Sequence, residues 1–92
     1  MTENIIKSKM VELLTITAEE GGEVTQACCK VLRHGLDKER SEMLVEEIGD
    51  IQCMIDLLVE NKILTLEEID TRKEIKREKL EKCSNLWKKH KK

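Results

Sequence analysis

A continuous stripe at helical spacing runs through the first third of the chain. Its positions are separated by alternating steps of four and three residues: Ile6, Met10, Leu13, Thr17, Glu20, Val24, Ala27 and Val31. Such a stripe stays on one side of an α-helix that packs against another helix. Glu20 interrupts the stripe, and Glu23 lies about 60° to one side of it, since successive residues turn by about 100°. The pattern predicts a long amphipathic helix with carboxylates on its packing face.

A second stripe of the same kind follows in the middle of the chain. Its members are Leu44, Ile48, Ile51, Ile55 and Leu58. Glu47 falls within this stripe, and Asp50 lies near one edge, beside a further set of apolar residues, namely Met43, Met54 and Leu57. A helix that is apolar over most of its circumference is expected to occupy the centre of a bundle.

Local signals predict where the first two helices begin and end. Thr2 is a candidate N-cap for the first helix, which we expect to run to about His34. Gly35 suits the left-handed position that terminates a helix. Asp37 is the candidate N-cap of the second helix, which we expect to reach about Asn61. The short connection predicts that the two helices pack antiparallel.

A third helix is predicted to open at a capping box, in which Thr65 is followed three residues later by Glu68. Its apolar stripe is thin and includes Ile69, Ile75 and Leu80, with Leu86 and Trp87 near its end. We therefore expect this helix to be peripheral.

Composition supports an all-α fold in a single domain. The 92 residues include no proline, phenylalanine or tyrosine, and residues that favour strands are sparse. We expect residues 1–92 to form one domain, with a helical hairpin at 1–61 and a basic C-terminal helix at 65–92. A chain this short buries a modest core. We therefore expect the three-helix protomer to complete a four-helix-bundle core by oligomerisation, as a homodimer or a homotetramer.

Charge is distributed unevenly along the chain. Residues 1–70 contain 16 acidic and 7 basic residues, a net charge of −9, whereas residues 71–92 contain 3 acidic and 10 basic residues, a net charge of +7. The four cysteines form no C-x-x-C pair, which favours reduced thiols and a cytoplasmic location. Neither a signal peptide nor a membrane span is predicted.

Two clusters of acidic residues indicate a cation site. The first helix carries Glu20 and Glu23, and the second carries Glu47 and Asp50, each pair at the i, i+3 spacing that brings side chains together on a helix surface. If the stripes pack together, the four carboxylates converge, and anions in that setting require cations. Oxygen ligands favour Mg²⁺, with Mn²⁺ as the substitute. Isolated glutamates such as Glu42 are more simply interpreted as solvated.

Glycines accompany both clusters. Gly21 and Gly22 separate Glu20 from Glu23, and Gly49 precedes Asp50. One interpretation is that they leave room for a bulky ligand beside the carboxylates. The other, applied to Gly49, is close packing between helices.

The sequence E-E-G-G-E at 19–23, followed by E-E-I-G-D at 46–50, resembles the E-x-x-E…E-x-x-D signature of the MazG-like all-α nucleoside triphosphate pyrophosphohydrolases, which are related to the all-α dimeric dUTPases. The resemblance covers about residues 5–60, and it is strongest from Glu46 through the following apolar run. In the third helix it is limited to a short basic segment at 79–82.

The resemblance implies hydrolysis of a nucleoside or deoxynucleoside triphosphate to the monophosphate and pyrophosphate. Glu20, Glu23, Glu47 and Asp50 would hold Mg²⁺, and Glu19 or Glu46 would orient or deprotonate the attacking water. The candidate phosphate-binding residues lie in the basic helix: Lys73, Arg77, Lys79 and Lys82. A phage-encoded chain would act in the host cytoplasm.

Two alternatives use the same residues differently. A non-catalytic helical oligomer or interaction module would use the carboxylates as interface ion-pair partners. A nucleic-acid-binding protein would use the basic tail, but the body is acidic and no aromatic platform is present. We therefore expect neither nucleic acid nor membrane to be the partner.

Overall fold

The computed structural model describes residues 2–83 and 85, apart from the side chains of Thr2, Glu3 and Ile6. Three helices account for nearly all of this part of the chain: α1 at Thr2–His34, α2 at Lys38–Glu60 and α3 at Leu66–Cys83. No strand occurs among these residues, which confirms the predicted all-α class. Three predictions fall outside the described residues and side chains: the N-cap at Thr2, the start of the α1 stripe at Ile6, and the helix end at Leu86 and Trp87.

The connection between α1 and α2 forms as its residues predict. Gly35 has a φ of +88° and donates its N–H to the Val31 carbonyl at 2.7 Å. Glycine reaches this left-handed conformation without a steric penalty. The Asp37 carboxylate then accepts a hydrogen bond from the Arg40 N–H at 2.8 Å and pairs with the Arg40 guanidinium at 2.6 Å. Both predicted boundary signals are confirmed, and the turn reverses the chain within three residues.

The C-terminal end of α2 has a backbone conformation that its residue types do not predict. Lys62 has a φ of +62°, and its N–H bonds to the Val59 carbonyl at 2.9 Å, while the Ile63 N–H bonds to the Leu58 carbonyl at 2.9 Å. This is the Schellman arrangement, with lysine at the position usually taken by glycine. Ile63 packs against the core, which supports the strained lysine.

The predicted N-cap of α3 at Thr65 is confirmed, with Glu68 bonding the Thr65 hydroxyl and not its backbone N–H. The Glu68 N–H donates to the Thr65 hydroxyl oxygen at 3.1 Å, and the Thr65 hydroxyl donates to the Glu68 carboxylate at 2.9 Å. Beyond this cap, α3 has no buried residue, as expected for a peripheral helix.

The core of the protomer lies between α1 and α2. Leu13, Met54 and Leu58 form its buried cluster, while Ala27 is buried further along the hairpin. From Leu13 to Val31 the stripe on α1 is confirmed by these positions and by the half-buried residues between them, including Glu20, whereas Met10, also predicted to pack inward, is 37% exposed. Around this contact the two helices form a hairpin.

The predicted stripe on α2 is partly wrong. Ile48, predicted to pack inward, is 37% exposed, whereas Met54, placed outside the stripe, is 7% exposed. At 100° per residue, the buried line through Glu47, Met54 and Leu58 is rotated by about 60° from the predicted one. Because α2 is apolar on both sides, α1 determines which side is buried, and the rotation turns Glu47 and Asp50 toward α1.

Candidate metal centre

Three carboxylates from the two hairpin helices meet beside the core. Glu20 of α1 and Glu47 and Asp50 of α2 each place one oxygen so that all three oxygens lie within 4.8 Å of one another. Glu20 and Glu47 are half-buried, and Asp50 is exposed. The cluster therefore combines ligands from both helices with an open side toward solvent.

Glu23, the fourth predicted ligand, is exposed and is not one of the three carboxylates that meet. The charge of Glu23 is among the causes that raise the pKa of Glu47. Glu23 also acts on Glu20 by charge repulsion. The structure thus brings three of the four predicted carboxylates together, and the role of Glu23 as a fourth ligand stays a prediction. We call the four predicted ligands, Glu20, Glu23, Glu47 and Asp50, the carboxylate cluster.

The charged forms of two members are disfavoured. Burial raises the pKa of Glu20 above its ordinary value of 4.5, and repulsion by Asp50, Glu23 and Glu19 raises it further. Burial is also the largest cause of the raised pKa of Glu47, followed by the charges of Glu23, Glu46 and Asp50. All the charges that act on these two carboxyls are acidic, so among the described residues no basic side chain offsets the repulsion.

One oxygen of the cluster lacks a partner among the described residues. Oε2 of Glu20 is buried and makes no hydrogen bond. A buried polar atom without a partner is costly, and a cation or a proton would relieve that cost. Octahedral Mg²⁺ places opposite oxygens about 4.2 Å apart, at twice its ligand distance. Adjacent oxygens on such an ion lie about 3.0 Å apart, and only one pair among three ligands can be opposite. The three oxygens, within 4.8 Å of one another, would therefore move closer together on binding a single ion. The oxygen-only donor set fits a hard divalent cation.

The two residues predicted to act on water lie immediately before members of the cluster. Glu19 precedes Glu20 and Glu46 precedes Glu47, and both are exposed. Each contributes to the raised pKa of its neighbour. Their positions are therefore near the cluster and open to solvent.

The glycines do not serve close packing within the protomer. A Cβ atom built at Gly21, Gly22 or Gly49 would meet nothing within 4 Å. The interpretation of Gly49 as a contact between these helices is therefore wrong for the isolated chain. The interpretation that the glycines leave room for a ligand stays a prediction.

The predicted phosphate-binding residues lie apart from the carboxylates. Lys73, Arg77, Lys79 and Lys82 are all exposed on α3, and Lys73 lies 3.9 Å from Asp70 of the same helix. None of the four contributes to the pKa shifts of Glu20 or Glu47. Among the described residues, α1 and α2 form the only extensive contact between helices, so α3 does not pack its basic residues along the carboxylates of the same protomer.

One groove was not predicted from the sequence. It lies between the N-terminal part of α1 and the α2–α3 connection, and its lining includes Lys9, Met10, Leu13, Lys62 and Ile63. The groove depends on the left-handed turn at Lys62, and a lysine carries no signal for such a turn. The apolar Ile63 directly after it is the signal that could have suggested a contact with the core.

Comparison with protein-family models, with curated proteins and with solved structures finds no match to this chain.

Within the described residues, none of the helices has an apolar stretch of the length that crossing a bilayer requires.

Proposed function

We propose that this protein hydrolyses nucleoside or deoxynucleoside triphosphates to the monophosphate and pyrophosphate, in a reaction that depends on Mg²⁺. The observation that carries the proposal is the convergence of Glu20, Glu47 and Asp50 from α1 and α2, together with a buried Glu20 oxygen that lacks a partner among the described residues. The resemblance of 19–23 and 46–50 to the MazG-like signature supplies the reaction class.

Glu20, Glu23, Glu47 and Asp50 would hold the metal, with Mn²⁺ able to replace Mg²⁺. When bound, the metal supplies positive charge for the phosphate oxygens and lowers the pKa of a coordinated water. The carboxylates position their oxygens on two different helices, so the hairpin itself fixes the geometry. The exposed edge at Asp50 leaves an approach for the triphosphate.

Glu19 and Glu46 are the candidate general bases. A carboxylate oxygen of one of them would accept a proton from the attacking water while the α–β phosphoanhydride bond breaks. The water oxygen then becomes part of one product, and the departing phosphate oxygen keeps the electrons of the broken bond. Both side chains are exposed next to the cluster, which leaves them free to take this role.

The triphosphate needs positive charge that the cluster does not provide. Lys73, Arg77, Lys79 and Lys82 would bind the β- and γ-phosphates. Because α3 does not pack along its own hairpin, we assign these contacts to α3 of a neighbouring protomer in a homodimer or homotetramer with a four-helix-bundle core. The four cysteines are free, in agreement with action in the cytoplasm, or in the host cytoplasm for a phage-encoded chain.

Product identity tests the reaction class. The protein is incubated with each ribo- and deoxyribonucleoside triphosphate and Mg²⁺, and the products are separated by chromatography. Monophosphate with pyrophosphate is expected. Diphosphate with inorganic phosphate would assign a different phosphohydrolase activity. Absence of turnover by a folded oligomer would favour a non-catalytic helical interaction module.

A further inference from the structure

The groove between the N-terminal part of α1 and the α2–α3 connection has an apolar floor. Leu13 belongs to the buried cluster of the core, and Ile63 packs against that cluster. Ile5 and Met10 extend the apolar surface toward solvent, where they are 65% and 37% exposed. The volume of the groove is about 520 Å³, within the roughly 300–1,000 Å³ of sites that bind small molecules. The groove is therefore large enough for a small ligand with an apolar part.

The charge of the groove is positive. Of the described residues that line it, Lys9 and Lys62 are charged and the others are not. This sign is opposite to that of the surrounding chain, because residues 1–70 contain 16 acidic and 7 basic residues. Within the described part of the chain, neither lysine forms an ion pair. The groove thus presents two positive charges next to apolar surface.

The lysine at position 62 is held in a conformation that costs free energy. Its φ of +62° lies in the left-handed region, which glycine adopts without a steric penalty. A glycine would end α2 equally well, but it would bring no positive charge to the groove. Residues other than glycine in this region are frequent at functional sites, where the surrounding structure holds them in place. Here the N–H groups of Lys62 and Ile63 both bond to carbonyls of α2, so the backbone that carries the lysine side chain is fixed.

The other lysine lies in a row of side chains on α1. Ile5, Lys9 and Leu13 are spaced by four residues, so they lie one above the other on the helix surface. Beside Lys62, Asn61 donates its side-chain N–H to the Leu57 carbonyl at 2.7 Å, which holds the asparagine against α2. A ligand that lies along the row on α1 would contact apolar side chains and an ammonium group.

We propose that the groove binds a linear aliphatic carboxylate, with its chain on Met10, Leu13 and Ile63 and its carboxylate between Lys9 and Lys62. Ammonium groups bind carboxylates through charge-assisted hydrogen bonds. The described lining contains aliphatic side chains and no aromatic ring, and the thioether of methionine adapts to the shape of an apolar ligand. The site is separate from the carboxylate cluster, because no member of that cluster is among the described residues of the groove.

Octanoate is the probe for this site, and octanol and acetate are its matched controls. Octanol keeps the apolar chain without the charge, and acetate keeps the carboxylate without the long chain. Each is titrated into the isotope-labelled full chain, and amide chemical shifts are followed by NMR. Octanoate is expected to cause saturable shifts at Leu13, Asn61 and Ile63. Octanol should bind several-fold more weakly, and acetate should cause no saturable shifts over the same concentration range.

Lys62→Gly and Lys9→Met test the two charges, with Lys30→Met as the control. Lys30 is an exposed lysine of α1 that does not line the groove. Each groove variant is expected to weaken octanoate binding by roughly twofold to fivefold, the contribution of one partly exposed ion pair. Lys30→Met should leave the affinity unchanged.

The two groove variants also separate binding from folding. Lys62→Gly should melt no lower than the wild type, because glycine relieves the left-handed backbone. Its weaker binding could then not be attributed to unfolding. Lys9→Met replaces one good helix former by another, so it covers the case in which Lys62→Gly does not fold.

Three results would overturn the proposal. They are the absence of saturable shifts at the groove, equal affinity for octanoate and octanol, and undiminished octanoate binding in both lysine variants. The titrations contain neither metal nor nucleotide, so failure of the proposed catalysis would not affect the result.

Discussion

Glu20 on α1 and Asp50 on α2 place carboxylate oxygens within 4.8 Å of each other across the helical hairpin. They are 30 positions apart in the sequence and are brought together by the packing of Leu13 against Met54 and Leu58. Like charges at this distance are unfavourable unless a cation or a proton intervenes. The fold therefore holds a site that is least stable when it is empty and fully ionised.

Metal binding should stabilise the protein through this pair. Addition of Mg²⁺ at neutral pH is expected to raise the melting temperature of the wild type, because a ligand that binds only the folded state stabilises it. Glu47→Gln should melt higher than the wild type without metal and should lose most of the Mg²⁺-induced increase. Glu42→Gln, on an exposed part of the same helix, is the control and should retain the full increase. An equal increase in Glu47→Gln and Glu42→Gln would place any bound metal elsewhere.

The raised pKa values predict a specific dependence of stability on pH. The folded state holds protons on Glu20 and Glu47 more tightly than the unfolded state, whose carboxyls titrate near 4.5. Their contribution to the free energy of unfolding is therefore fully present below pH 4.5 and is lost as pH rises through the raised pKa values. Urea unfolding across this range, without metal, should show a decline that is smaller in Glu20→Gln/Glu47→Gln. A decline of the same size in the double variant would contradict this assignment.

Gly49 offers a test of the space beside the cluster. Gly49→Ala should raise the free energy of unfolding by about 1 kcal/mol, since alanine is the better helix former and its Cβ would meet nothing within 4 Å. If the glycine leaves room for a nucleotide, the same substitution should raise KM. Ala18→Gly, at an exposed position of α1, is the opposite control and should lower stability by a similar amount. If the Gly49→Ala protein is more stable but its kinetics are unchanged, Gly49 has no role in substrate binding.

The basic helix should affect substrate binding rather than folding. Replacement of Lys73, Arg77, Lys79 and Lys82 by alanine removes four positive charges from exposed positions and should raise KM for a triphosphate sharply. Helix content and oligomer mass, measured by circular dichroism and light scattering, should not change. Unchanged kinetics in a variant with intact mass would exclude α3 as the phosphate-binding element.

The ends of the helices could be predicted from the sequence because they depend on a few adjacent residues. Gly35, Asp37 and Thr65 each form the turn or cap that their chemistry favours. The end of α2 was harder to predict, because Lys62 adopts a conformation that is usually left to glycine or asparagine. Its stability comes from contacts that Ile63 makes with residues distant in the sequence.

The rotation of α2 could not be predicted from its own residues. Ile48 and Ile55 lie on one side of α2, and Met54 and Leu57 lie on the other. The pattern of apolar residues in α2 alone therefore does not determine which side is buried. Packing against α1 decides between them, and that choice turns Glu47 inward. The acidic interruption of the α1 stripe at Glu20 was visible in the sequence. The distance from the carboxylates to the basic residues of α3 depends on assembly, which a single sequence does not encode locally.

The most direct test of the proposed reaction compares Glu47→Gln with Glu42→Gln in a product assay, with Mg²⁺ and with EDTA. The account predicts that the wild type and Glu42→Gln release monophosphate and pyrophosphate with Mg²⁺, and that EDTA or Glu47→Gln abolishes this release. Pyrophosphate release that persists in Glu47→Gln, or that continues in EDTA, would contradict a metal-dependent site at the carboxylate cluster.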